Sequence, residues 1–154
     1  MHALPHRYRV KGTGRITGDV ELTAERLTTL RSASPPEFDG PGDRWSPETL
    51  LVGAVADCFI LTFRAIAKTS QLSWLSLDCD VTGILDRVDR VMQFTRFDLV
   101  AHLVVPASMD AEAARQALEK AERHCLISSS LKAAVVLDAR VAISREVVGR
   151  DSVA

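Results

Sequence analysis

The chain has 154 residues, of which 47% are hydrophobic and 25% charged, with a formal net charge of -1. These are ordinary globular values, and the length suffices to bury about two-thirds of the surface of the unfolded chain in one domain, here residues 1–154 with a core from about Tyr8 to Ile143. So even a charge balance gives no general attraction to nucleic acid or anionic membrane, and a small or neutral partner is expected. Met1 to Arg7 lacks the apolar segment of a signal peptide, and no stretch is expected to reach the roughly 20 apolar residues that cross a bilayer. A soluble cytoplasmic protein is predicted. Three scattered cysteines, Cys58, Cys79 and Cys125, do not make a secreted disulfide framework.

Between Arg7 and Leu30 the apolar residues alternate loosely, with turn signals at Gly12-Thr13-Gly14 and Gly18-Asp19, which predicts two or three short antiparallel strands. Ser34 to Asp43 holds three prolines and two glycines and reads as a loop. Ser46-Pro47-Glu48 then supplies a capping hydroxyl, a proline for the first helical position and an acid for the first turn. From Leu50 to Ala67 the helix is apolar on nearly every side, interrupted by Asp57 and Arg64. A helix with no broad polar face must be covered by the rest of the fold, by a second subunit, or by both.

Trp74 to Leu85 alternates Leu75, Leu77, Cys79 and Val81 against Ser76, Asp78, Asp80 and Thr82, the period of a half-buried strand. A turn at Asp86 to Arg90 leads to its hairpin partner, with Phe97, Leu99, Ala101, Leu103 and Val105 on one face. The period changes after Pro106, where Ala114, Leu118, Ala121 and Cys125 form the buried stripe of an amphipathic helix. Ile127 to Leu131 reads as a turn or short helix, Val135 to Ile143 as a last strand, and the tail after Arg145 as unstructured. The order predicts an α+β fold with helices on one side of antiparallel sheet.

Little in this pattern announces chemistry. Buried cysteine commonly behaves as a small hydrophobe, and Cys79 shares its parity with core residues and no charged neighbour, so it is assigned to the core. No metal site is expected, since His124-Cys125 are adjacent and there is no CxxC or HxxxH. Gly12-Thr13-Gly14 lacks the rest of a phosphate-binding signature, and Ser128-Ser129-Ser130 lacks a nucleophile elbow. An acyl-transfer reading through Cys58 and His124 has no third group to orient the pair.

Two separated segments do carry a resemblance. Trp45-Ser46-Pro47-Glu48 through Asp57-Cys58-Phe59 resembles the first cysteine motif of the OsmC/Ohr family, and Ala121 to Leu131, containing His124-Cys125-Leu126-Ile127-Ser128, resembles the second. The chain departs at Leu126, where the family usually has proline, and in a longer loop at Ser34 to Asp43.

The resemblance implies an OsmC-like α+β fold with antiparallel sheets, a long buried central helix and an intertwined homodimer. It implies a thiol peroxidase in which Cys58 attacks an organic hydroperoxide, or more weakly hydrogen peroxide, and Cys125 resolves the sulfenic acid as a disulfide. Glu48 maps onto the family's glutamate; its arginine is assigned to Arg15, with Arg9 and Arg7 as alternatives. No bound cofactor is implied, but an external dithiol reductant, lipoyl or thioredoxin-like, must reopen the disulfide. Ten helical residues between Glu48 and Cys58 amount to about 15 Å of rise and about 80° of rotation. Their side chains therefore meet only through a helix break or across two subunits, which predicts a site at the dimer interface walled by Leu51, Phe59, Phe63, Trp45 and Phe38. The alternative is an OsmC-like protein that binds a small molecule or serves in stress without catalysis.

Overall fold

Three short strands open the chain: β1 (Lys11–Thr13), β2 (Val20–Thr23) and β3 (Leu30–Ser32), an antiparallel meander in that order. The computed structural model describes residues 3–144, so the tail after Arg145 lies outside the described residues. Gly12 and Thr13 prove to be strand rather than turn. The reversal falls later, at Gly18, whose φ of 92° favours glycine. The proline-rich segment is ordered as a 3₁₀ turn at Pro36–Phe38, closed by Asp39 in the left-handed region. Gly40 is obligatory there, because a Cβ would fall 1.6 Å from the Ser34 carbonyl oxygen.

α1 (Pro47–Thr69) begins at the predicted proline. Ser46 and Thr49 cap it reciprocally: the Thr49 amide donates to Ser46 Oγ at 3.2 Å, and the Ser46 amide donates to Thr49 Oγ1 at 2.8 Å. The chain forms two compact units, one ending at Leu51 and the other starting at Val52, with α1 continuous through that point. In the first unit the sheet has almost no interior. Only Ser32 among its strand residues is buried, while Tyr8, Val10 and Ile16 stand 64% exposed or more.

The second unit is built on a three-stranded sheet in the order β4 (Ser76–Val88), β5 (Val91–Pro106), β6 (Ala134–Ser144). β4 runs three residues beyond Leu85, and the hairpin closes tightly at Asp89 and Arg90, both at positive φ. β6 pairs with β5 in parallel, so the sheet is mixed rather than wholly antiparallel. The reason is the crossover: β5 leads into α2 (Ala111–His124) and α3 (Leu126–Ser129), and a helical return of that length brings the next strand back in the same direction. Asp110 caps α2 by accepting from the Glu112 amide at 3.1 Å.

The register puts Leu77, Cys79, Val81 and Gly83 of β4 on the same face as Phe97, Leu99, Ala101, Leu103 and Val105 of β5 and the odd-numbered residues of β6. The five β5 residues are fully buried, as the alternation predicted. Leu75, expected on the core parity, is instead exposed just outside the edge strand. From α2 the buried set is Ala114, Ala117, Leu118 and Ala121. From α1 it is the i, i+4 stripe Val55, Phe59, Phe63 and Ala67, with Phe63 set edge-on to Trp74 at 5.4 Å. Gly83 lets α1 approach the sheet, since a Cβ there would lie 2.8 Å from Val52 Cγ2 and 2.7 Å from the Phe94 ring.

One expectation about α1 needs correction. Its length and composition do suffice to cross a bilayer, with mean hydropathy 1.9 over 18 residues, because Asp57 and Arg64 break the apolar run without lowering its average. Along one face of the helix Val55, Phe59, Phe63 and Ala67 are buried by protein. Only that stripe is buried by the described residues, which agrees with a helix expected to need cover from the fold, a second subunit or both. Leu51, Val52, Ile60 and Ile66 are half-covered and Leu61 is 51% exposed, so the fold alone does not cover the helix.

Candidate active site

Cys58 projects from the middle of α1 and is half-buried; Cys125 is fully buried. Cys125, expected on the buried stripe near the end of the amphipathic helix, is buried as expected but lies just past the helix end, as the extended joint between α2 and α3. That kink turns the first amides of α3 toward sulfur. The backbone N–H groups of Ile127 and Leu126, which have no carbonyl partner in the short helix, act on Cys58 Sγ together with the Cys125 side chain. Thr62, one helical turn beyond Cys58, places Oγ1 4.0 Å from the same sulfur.

Burial pushes the Cys58 thiol up, but the donors outweigh it: Ile127 N–H, the Cys125 thiol, the Thr62 hydroxyl and Leu126 N–H together hold it below the ordinary thiol range. Cys125 moves the other way. Burial raises it, the hydroxyl and amide of Ser128 oppose that, and the neighbouring Cys58 raises it further. One thiol is thus biased toward the anion and its neighbour toward the proton. Cys79, half-buried on β4, is pushed up to about 12, first by burial and then by Asp80 and Cys125. Such a thiol is inert at neutral pH.

The other predicted site residues are distributed as follows. Glu48 lies on the first turn of α1, with Oε2 buried and lacking a hydrogen-bond partner among the described residues. α1 is unbroken, so no helix break carries Glu48 to the Cys58 of its own helix. Arg15 is exposed in the β1–β2 connection and makes no ion pair among the described residues, whereas Arg44 is held between Asp19 and Asp43 at 2.9 Å each. Phe59 and Phe63 are fully buried, Leu51 is half-buried, and Phe38 and Trp45 are 42% and 53% exposed. In the first unit a cleft of about 530 Å³ lies between Val20 and Leu22 of β2, the loop at Asp39 to Pro41, and Pro47 and Leu50 of α1. Among the described residues no group of three or more His, Cys, Asp or Glu is placed to hold a metal ion.

The two cysteines singled out in the sequence are neighbours in the structure, but the donors around them were not foreseen. Thr62 was discoverable, being four residues from Cys58 on a helix. The amides of Leu126 and Ile127 were not, since a backbone donor has no side-chain signature; only the helix break at Cys125 exposes them.

A mixed sheet carrying helices, with two free cysteines from different helical segments that act on one another, defines a dithiol α+β protein. Residues 40–140 match the family described as OsmC-like protein. The chain belongs to that family, the OsmC/Ohr group that the two cysteine motifs resembled. It is 31% identical over 125 residues to the uncharacterised protein YmaD of Bacillus subtilis, covering 79% of this chain and 83% of YmaD. It is 30% identical over 93 residues to peroxiredoxin OsmC of Escherichia coli, covering 60% of this chain and 64% of the relative. Among solved structures, an organic hydroperoxide resistance protein OsmC from Legionella pneumophila shares the fold with a TM-score of 0.69 at 24% identity, over 93% of this chain and all of that one.

Proposed function

We propose that this protein is a thiol-dependent peroxidase that reduces organic hydroperoxides, and hydrogen peroxide more weakly. The observation that carries this reading is the pairing of Cys58 and Cys125, distant in sequence, with opposite shifts in acidity. Family membership adds to it, since relatives are named peroxiredoxin OsmC and organic hydroperoxide resistance protein.

The Cys58 thiolate attacks the nearer peroxide oxygen; the O–O bond breaks, and the departing alkoxide takes a proton and leaves as alcohol. Cys58 is then a sulfenic acid. The Cys125 thiolate attacks its sulfur, an S–S bond replaces the S–O bond, and the hydroxide released becomes water. An external dithiol, lipoyl or thioredoxin-like, restores both thiols by exchange. The guanidinium that stabilises the departing oxygen comes from the N-terminal strands, with Arg15 as the first candidate and Arg9 and Arg7 as alternatives, oriented by the partnerless oxygen of Glu48. Leu51, Phe59, Phe63, Trp45 and Phe38 contribute the apolar walls that favour an organic substrate.

The working form is an intertwined cytoplasmic homodimer with the site at its interface. Two features support this: the incompletely covered face of α1 and a β1–β3 sheet without an interior of its own. The unbroken α1 also leaves a second subunit as the route by which a glutamate at position 48 reaches a Cys58 thiol.

The test is one equivalent of cumene hydroperoxide added to the reduced protein, followed by thiol counting and intact mass. Loss of two thiols, with a Cys58–Cys125 cross-link in the peptide map, is the expected result. An unreacted Cys58 in the native protein would overturn the reading and leave a non-catalytic binding protein. Cys58→Ser is expected to abolish peroxide consumption, and Cys125→Ser to permit the first oxidation but not sustained turnover.

A further inference from the structure

The face of α1 that the fold leaves open has an order of its own. Asp57, Leu61, Arg64 and Lys68 are exposed, and Gly53 and Ile60 are half-buried. At about 100° per residue, all six positions lie within about 50° of one direction. Neither Asp57, Arg64 nor Lys68 makes an ion pair among the described residues. The six follow one another at spacings of 4, 3, 1, 3 and 4 residues, the same series in both directions. The charges do not repeat but invert, with the acid before the centre and both bases after it. A face of this kind is complementary to itself under a two-fold axis across the helix. With the axis between Ile60 and Leu61, each Ile60 meets the other copy's Leu61, Asp57 meets Arg64, and Gly53 makes room for Lys68. A parallel pairing would oppose Asp57 to Asp57 and Arg64 to Arg64. Asp57 and Arg64 stand about 5 Å along the helix from the axis, where helices crossing at the common angles are still in contact. A bilayer fits this face poorly, because charged side chains in hydrocarbon are costly.

We propose that a second copy of this chain covers the open face of α1, the two helices antiparallel about Ile60 and Leu61, with Asp57 of each paired to the partner subunit's Arg64. The inference rests on the homodimer reading above and adds to it the contact that fixes orientation and register. Ile60 and Leu61 supply the apolar centre, and the two ion pairs flank it, partly withdrawn from water, where charge discriminates between pairings more than it adds affinity.

The test exchanges charge in two separately prepared full chains, Asp57→Arg and Arg64→Asp. By sedimentation equilibrium each is expected to dimerise at least about tenfold more weakly than the unsubstituted protein, since one contact then holds only arginines and the other only aspartates. Mixed in equal amounts, the two are expected to form the heterodimer in preference to either homodimer, because both contacts then join an arginine to an aspartate. Native mass spectrometry distinguishes the three dimers by mass. Heterodimer at no more than the statistical half of all dimers would overturn the proposal. The milder changes Asp57→Asn and Arg64→Gln, made separately and together, give an independent reading that introduces no repulsion. A shared contact makes the double variant about as weak as either single one, whereas losses that add would overturn the pairing. An unsubstituted chain that stays monomeric at every concentration overturns the homodimer reading and, with it, this contact.

Discussion

At the scale of single residues, Cys58 differs from an ordinary buried cysteine through what faces it. Its own helix offers apolar neighbours and the acid Asp57; the donors come from Thr62 and from the start of α3. Leu126 is a precise place to test this. It holds the first helical position of α3, where proline is tolerated, its side chain is 66% exposed, and Cys125 before it has φ −67° and ψ 112°, a conformation that accepts a following proline. Leu126→Pro is therefore expected to preserve the fold while deleting one N–H donor to sulfur. The Cys58 thiol should become less acidic, so that the midpoint of its alkylation by iodoacetamide moves to higher pH; an unmoved midpoint would show that this amide does not act on Cys58.

At the scale of elements, β4 and α1 meet where side chains are smallest. Gly83→Ala places a methyl group within 2.8 Å of both Val52 and Phe94, and overpacking of this kind costs about 1–3 kcal/mol. A urea denaturation midpoint equal to that of the unsubstituted protein would contradict the packing. Leu118, fully buried on α2, is expected to cost about 2–5 kcal/mol on truncation to alanine, measured in the same way. Cys79 on β4 gives the unit an alkaline weakness. Its thiol keeps its proton up to about 12 when folded but loses it near 9.0 when unfolded. Between those values the unfolded state binds fewer protons, so stability falls as pH rises, and below 9 the contribution vanishes. Cys79→Ala is expected to flatten the decline of the urea midpoint between pH 9 and 10.5.

At the scale of the whole molecule, the apolar surface left open determines the behaviour expected in solution. Leu61, Ile60 and Ile66 on α1 are too numerous to be scattered surface residues, and a three-stranded sheet with a single buried residue has little to hold it. Sedimentation equilibrium is expected to give a dimer, and Leu61→Glu a species that dissociates and loses hydroperoxide turnover. A stable monomer with full activity would remove the interface from the mechanism.

The order of elements was legible in the sequence wherever a period repeated. The alternation of Phe97 to Val105 fixed the buried face of β5, the spacing of Ala114, Leu118 and Ala121 fixed that of α2, and Ser46-Pro47-Glu48 marked the start of α1 to the residue. Such patterns are readable because burial on one face of a regular element imposes its period on the chain. The two cysteines could be named from their motifs, but their surroundings could not. The parallel pairing of β6, the joint at Cys125 and the amides it aims at Cys58 depend on how the chain returns after β5. A return path and a backbone N–H leave no periodic trace in a sequence, so only the tertiary structure decided where Cys58 finds its donors.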